Sequence, residues 1–471
     1  MKTEYSLMIG GQATAGARDP FAVIDPATGE RFADCPAASP EQVDQAVAAA
    51  AEAFKSWQYS SDEERKAILH RIADAIEANA DELAQIVTRE QGKPLALAQM
   101  EVGGAIAWTR YTAELEIPVK VIEDSEQRLA ELHHKPLGVV GSITPWNWPL
   151  MIAVWHIMPA LRTGNTVVVK PSSLTPFNTL RLVELINEQV PAGVINIVTG
   201  EGGIGRAMTG HPDINKIVFT GSTPTGQDIM RNAAGNLKRL TLELGGNDAG
   251  IVLPDADLDA VAMGIFQTAF LNMGQTCAAL KRLYVHDSLY DDLCQRLVNI
   301  AQEQKVGSGL EDGVTFGPVQ NRAQFDLVRE LVEDARAQGA KVLCGGEALP
   351  GNGYFYPPTI VADITDGTRL VDEEQFGPVL PVIRYSDVED AIARANDNPN
   401  GLGASVWGSD IEQARKVAVR LESGTAWINN HAEVLPHCPF GGCKMSGFGV
   451  EFGEEGLLEY TQSQLLSIKR A

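Results

Sequence analysis

Between Pro40 and Ala80 apolar residues return at helical spacing, first through Val43, Val47, Ala50 and Phe54 and then through Ile68, Ile72, Ile76 and on to Leu83. Ser39 stands at the start of this run as its cap. Beyond Pro136 the texture changes to short β-branched runs separated by helical ones, in Val139-Val140-Gly141-Ser142-Ile143, Thr166-Val167-Val168-Val169, Val194-Ile195-Asn196-Ile197-Val198 and Lys216-Ile217-Val218-Phe219. That alternation predicts a parallel sheet wound with helices. From Gly245 to about Ser446 it recurs, with strands expected at Ala249-Gly250-Ile251-Val252-Leu253 and Arg282-Leu283-Tyr284-Val285-His286. A second α/β domain is expected there.

Two further segments stand apart. Val119–Glu123 and Arg128–His133 alternate in strand fashion around the polar turn Asp124-Ser125-Glu126-Gln127 and read as a projecting hairpin. Ser463–Ile468 is another short strand, with little chain left to cover its edge.

At 471 residues the chain exceeds what one hydrophobic core usually organises, so two or three domains are expected. Its 38 basic and 61 acidic residues leave a net charge of −23, which repels nucleic acid and anionic membrane surfaces. The start, Met1-Lys2-Thr3-Glu4-Tyr5-Ser6-Leu7, lacks the apolar core of a signal peptide, and no later run is long enough to span a bilayer. Cys35, Cys277, Cys294, Cys344, Cys438 and Cys443 are scattered rather than set in a framework, as suits a reducing cytoplasm.

Candidate chemistry concentrates in Leu271-Asn272-Met273-Gly274-Gln275-Thr276-Cys277, where a cysteine follows an apolar helix-like run in a small, polar, glycine-containing segment. A free thiol of pKa about 8.5 is only a few per cent ionised at neutral pH, so a reactive Cys277 needs a partner for its proton. Leu242-Glu243-Leu244-Gly245-Gly246 offers a carboxylate to act as base, with two glycines that let backbone approach closely. Attack on a carbonyl would create an oxyanion, and Asn147 offers a side-chain amide to hold it. Parallel sheets bind ligands beyond the carboxyl ends of their strands, where Asn147, Lys170 and Gly221 all fall. Gly221-Ser222-Thr223-Pro224-Thr225-Gly226 follows a strand and opens a helix, so its N–H groups can meet a pyrophosphate.

These segments, together with Thr144-Pro145-Trp146-Asn147-Trp148-Pro149, Lys170-Pro171-Ser172, Phe219–Thr223, Glu374-Gln375-Phe376-Gly377-Pro378 and Pro439-Phe440-Gly441-Gly442, occur in an order that resembles the aldehyde dehydrogenase superfamily nearly end to end. The resemblance implies a Rossmann-like cofactor domain over 1–118 and 137–244, a second α/β catalytic domain over 245–446, and a small β oligomerisation element over 119–136 and 455–471 that pairs with a neighbouring subunit in a homodimer or homotetramer. It implies NAD or NADP as cofactor, met by Thr144, Trp146, Lys170, Ser173, Gly221, Ser222, Gly226, Gly245, Glu374 and Phe376. Glu374 and Phe376 would hold the nicotinamide end, and Lys170, counted also in the catalytic set, the adenosine ribose.

The implied reaction runs from a small-molecule aldehyde through a thiohemiacetal and a thioester on Cys277. Asn147 and the Cys277 backbone N–H would hold the oxyanion, and Glu243 would activate the hydrolytic water. Relatives that pass the acyl group to coenzyme A tend to lack this glutamate, so a free acid is the expected product. Ser173 departs from NAD-preferring relatives, which carry glutamate there, and leaves room for a 2′-phosphate. Asn247 and Val450 are further departures, where many relatives have lysine and arginine.

Trp148, Met151, Ile152, Trp155, Val434 and Phe440 match the substrate tunnel and favour an aromatic or medium-length apolar aldehyde. No arginine among them would clamp the carboxylate of a semialdehyde, the alternative substrate class. A phosphorylating or acyl-transferring relative, or an inactive ligand-binding one, are the other readings. Cys438 and Cys443, with His431 and His437 nearby, have spacing compatible with zinc, but the residues between the cysteines are a landmark of a family that uses them without metal, so no metal is expected.

Overall fold

The computed structural model describes residues 5–470; the first four residues of the start discussed above lie outside it. The helical pattern after Ser39 is divided among Pro40–Trp57, Asp62–Ala78 and Ala80–Gln91. Ser39 caps the first helix through a reciprocal capping box with Gln42. The pattern breaks because Ser61 starts a new helix, its side chain accepting from the Glu64 N–H. Val43, Val47, Ile68, Ile72, Ile76 and Leu83 are all buried. A further helix, Leu95–Glu114, packs against Asp62–Ala78 and against Pro149–Arg162.

The alternating region folds into an eight-stranded sheet. Its parallel centre runs Ile195–Ile197, Thr166–Lys170, Val139–Ile143, Lys216–Thr220, Arg239–Glu243. Successive strands step one way from Val139–Ile143 and then, starting with Lys216–Thr220, the other, so the crevice at this reversal is where such sheets take ligands. The strands are buried on both faces, which is why they read as unbroken apolar runs.

A seven-stranded sheet organises the second region, in the order Lys341–Cys344, Thr359–Ile364, Val379–Tyr385, Leu280–His286, Asp248–Val252, Gly403–Trp407, Thr425–Ile428. All neighbours are parallel except the first pair. Only residues 244–247 separate Glu243, the last residue of one sheet's strand, from Asp248, the first of the other's. The chain returns to the same place later, where Gly447–Phe448 pairs antiparallel with Leu242 and Glu243.

Lys120–Asp124, Arg128–Pro136 and the final strand Thr461–Lys469 form a separate three-stranded antiparallel sheet. Val121, Ile122, Leu465, Leu466 and Ile468 are exposed on it. Among the described residues no helix is long and apolar enough to cross a membrane.

Candidate active site

Cys277 lies at the amino end of the second sheet, just before Leu280–His286, and Glu243 at the carboxyl end of the first. The cysteine is presented by a tight turn, Leu271–Gly274, in which Asn272, Met273 and Gly274 all take left-handed backbone angles (φ 52°, 57° and 71°). Met273 is a residue that rarely adopts that conformation, so the turn persists only because its surroundings fix it. A side chain at position 274 would strike the Gly377 carbonyl, leaving glycine as the residue that fits. The Lys281 ammonium donates to the carbonyls of Gly274 and Gly377, and Gln275 Oε1 accepts from the Gln320 N–H at 2.8 Å.

Asn147 and Trp148 reach this turn from the other sheet. Asn147 Nδ2 donates to the Gln275 carbonyl at 3.1 Å, and Trp148 Nε1 donates to Thr276 Oγ1 at 3.0 Å, so together they touch the two residues that precede Cys277. The Asn147 carbonyl in turn accepts from Asn272 Nδ2 at 2.9 Å.

Burial pushes the Cys277 thiol well above its ordinary value, and the charges of Glu243, Glu374 and Asp248 push it further, against one N–H from Ala278. At neutral pH the sulfur is therefore protonated. Glu243 is also raised well above the usual carboxylate range, first by burial and then by Glu451. Both Glu243 carboxylate oxygens are buried with no hydrogen-bond partner among the described residues. Such a carboxylate is poised to take a proton. Behind it Glu451 lies 3.3 Å from His156 Nε2, and His156 also meets Thr220 Oγ1 and Ser142 Oγ, each at 3.0 Å.

A cleft of about 570 Å³ opens at the sheet's reversal point. Of the residues expected to meet a dinucleotide, Thr144, Trp146, Lys170, Ser173, Gly221 and Ser222 line it. The Thr223–Ala233 helix begins here with no side-chain cap, which leaves its first N–H groups for a ligand. Gly226 does not line the cleft; it lets this helix approach Leu244, with which any larger side chain would collide. Burial lowers Lys170 to about 8, and its ammonium donates to the Pro171 carbonyl at 3.0 Å.

Glu374 accepts from the Gly246 N–H at 2.9 Å, and a side chain at Gly245 would collide with its carboxylate. Burial raises Glu374 to about 7. Phe376 stands edge-on to Trp146 at 5.3 Å, joining this second group to the cleft wall. The groups present, an uncapped helix start, two hydroxyl residues beside Lys170 and a close-packed glycine turn, fit a dinucleotide. Arg206 also lines the cleft, a cation that local sequence pattern gave no reason to single out.

Trp155, Val434 and Phe440 pack together with Trp108 and Phe452 in one apolar cluster that also takes in Cys277. The Phe452 ring stands 4.7 Å from Trp155 and 5.7 Å from Trp108, each edge to face. Trp108 and Phe452 escaped the sequence reading because they come from the Leu95–Glu114 helix and from a residue with φ 65° near the chain's end. Trp148 has its ring under the Lys93 ammonium while its Nε1 meets Thr276, and Met151 lies against Gly104. Ile152 is core. Among the described residues no group of three or more histidine, cysteine or acidic side chains is arranged to hold a metal ion. His431 is buried 3.4 Å from Asp248, while Cys438 is exposed.

The Aldehyde dehydrogenase family profile matches residues 13–466. The chain is similar to phenylacetaldehyde dehydrogenase of Pseudomonas fluorescens, with 41% identity covering 99% of this chain and 96% of that one. It is similar to retinaldehyde dehydrogenase 3 of Mus musculus, with 41% identity covering 95% and 90%. Among solved structures it resembles the NAD+ complex of aldehyde dehydrogenase from Bacillus cereus, with a TM-score of 0.96 and 38% identity over 99% of this chain and 96% of that one.

Proposed function

The chain belongs to the aldehyde dehydrogenase family and oxidises aldehydes with NAD or NADP, and we propose that Cys277, Asn147 and Glu243 carry out the chemistry on an aromatic or medium-length apolar aldehyde, releasing a free acid. Cys277 loses its proton to Glu243, the unpaired carboxylate within its electrostatic reach, and the sulfur adds to the aldehyde carbon. The Asn147 amide and the Cys277 N–H hold the resulting alkoxide. A bound dinucleotide supplies the acceptor for the hydride released as the C–H bond breaks. The acyl group is then a thioester on Cys277. Glu243, having passed its first proton to solvent, takes one from a water whose oxygen attacks the thioester, and the C–S bond breaks to return the sulfur. Lys170, Thr144, Trp146, Ser173, Gly221 and Ser222 hold the cofactor in the cleft, Gly226 lets the helix behind it close on Leu244, Gly245 admits the Glu374 carboxylate, and Glu374 and Phe376 hold its reacting end.

One observation carries this reading: Glu243 lies buried, near enough for its charge to raise the Cys277 thiol, with both oxygens unpartnered among the described residues. A carboxylate desolvated to that degree is costly to keep unless its proton affinity is used. Incubating the enzyme with aldehyde and oxidised cofactor, with and without coenzyme A or phosphate, tests it. Free acid at an undiminished rate in their absence is expected, and a dependence on either would favour the acyl-transferring reading.

The apolar wall of Trp108, Trp155, Val434, Phe440 and Phe452 supports the substrate class. The exposed aliphatic side chains of the three-stranded sheet support assembly with a second copy of the chain, into a homodimer or homotetramer. Six scattered, unpaired cysteines suit the cytoplasm.

A further inference from the structure

Lys93 and Glu101 form an ion pair with no solvent exposure at all, Nζ to Oε2 at 2.6 Å. Neither belongs to the cofactor cleft or to the wall facing the aldehyde. Taking two charges fully out of water is expensive, and apolar residues of similar volume would hold a core at least as well. The pair's other contacts show what it does. The Lys93 ammonium has three N–H groups, and besides Glu101 it meets the Asn147 carbonyl at 2.9 Å and the face of the Trp148 ring, 3.6 Å from its centroid. Glu101 Oε1 accepts from the N–H groups of Leu150 and Met151 at 3.0 and 3.1 Å. These are first-turn donors of the Pro149–Arg162 helix, whose capping residue, Trp148, has no side chain able to accept them.

The pair thus grips one short segment at residues 147, 148, 150 and 151. With its carbonyl held by Lys93 and Asn272, Asn147 starts from a fixed backbone, and from there its amide donates to the Gln275 carbonyl, two residues before Cys277. We propose that Lys93 and Glu101 are positioning residues for the oxidation step, a buried clamp that fixes the direction of the Asn147 amide through its backbone carbonyl and through the start of the following helix. This rests on Asn147 being an oxyanion donor. Lys93 acts only through Asn147 and never touches the substrate. Removing it should therefore cost what a misdirected donor costs, and nothing more once the donor is gone.

The test is a cycle of variants of the full chain, Lys93→Met, Asn147→Ala and both together, read by steady-state kinetics with a saturating cofactor. Each single change is expected to lower kcat about 10²-fold, the usual cost of losing one such donor, with aldehyde KM moved less than about threefold, and the double variant should fall no further than Asn147→Ala. Alkylation of Cys277 by iodoacetamide needs no oxyanion donor and should keep its wild-type rate. If Lys93→Met keeps its kcat while Asn147→Ala loses it, if the two losses multiply, or if alkylation slows in step with kcat, the clamp is overturned and the pair is merely structural. If Asn147→Ala itself keeps full kcat, the oxyanion reading fails first. Should Lys93→Met not fold, Lys93→Met with Glu101→Gln removes the unpaired buried charge, keeps an acceptor for Leu150 and Met151, and is held to the same outcomes.

Discussion

Glu451 is a buried carboxylate whose charge raises the proton affinity of Glu243, and of the two only Glu451 has a histidine, His156 at 3.3 Å, against it. Glu243 is left as the member with no partner among the described residues. Glu451→Gln removes the repulsion and should move the acid limb of kcat to lower pH, because Glu243 would then ionise more readily. A pH–rate profile that stayed in place, or moved to higher pH, would contradict the assignment.

Glu243→Gln should form one equivalent of reduced cofactor slowly, because Cys277 has lost its proton acceptor, and then stall with acyl enzyme on Cys277, detectable by mass spectrometry of the intact protein. The same substitution tests the linkage. A carboxyl whose folded pKa is raised contributes its stability in full below the unfolded value of about 4.3, and loses it as pH rises through the folded value. Glu243→Gln should therefore melt higher than the wild type at pH 8, and the gap should close toward pH 4. Cys277→Ala should abolish turnover and leave no site for the adduct.

Ser173 and Arg206 line the end of the cleft that also holds Lys170. Ser173→Glu would set a negative charge against a 2′-phosphate and should raise the KM for NADP by about tenfold or more while leaving NAD usable. Arg206→Ala should raise the KM for NADP alone. Equal effects on both cofactors would show that the phosphate is not read there.

Trp108 closes the aromatic wall against Trp155 and Phe452. Trp108→Ala should lower kcat/KM for an aromatic aldehyde by about tenfold, near the upper end of what an edge-to-face ring contact contributes, and change that for a short aliphatic aldehyde much less. Uniform loss across the series would indicate a general repacking instead.

Leu465→Asp with Val121→Asp places charge on the exposed face of the three-stranded sheet. Light scattering should then report a smaller species than the wild type. An unchanged mass would remove that sheet from the interface.

Much of this arrangement could be read along the chain because it is local. Strands buried on both faces announce themselves as apolar runs, and the groups after them, Thr144, Lys170 and Gly221, fall at the crevice because the sheet's topology puts strand ends there. The Leu95–Glu114 helix left no such trace. Its apolar residues are spread around the axis with two glycines in its middle, so no single face stands out, and Glu101 and Trp108 went unnoticed. The Pro149–Arg162 helix is buried on nearly every side, so periodicity could not tell that Trp155 joins the apolar cluster around Phe440 and Phe452 while the Trp148 ring lies on Lys93. Contacts such as His156 with Glu451 join residues remote in sequence, and no local pattern encodes them.

The bridge at residues 244–247 and the returning strand Gly447–Phe448 stitch the two sheets together at one spot, and Glu243 is the residue at the seam. Severing the polypeptide at that bridge would not yield two independent modules. The amino-terminal fragment would present a bare β-edge at Leu242 and Glu243, and the carboxy-terminal fragment would carry the two residues that should cover it. Insertions are tolerated poorly at such a joint, so length variation among homologues should accumulate at the outer loops and spare the seam.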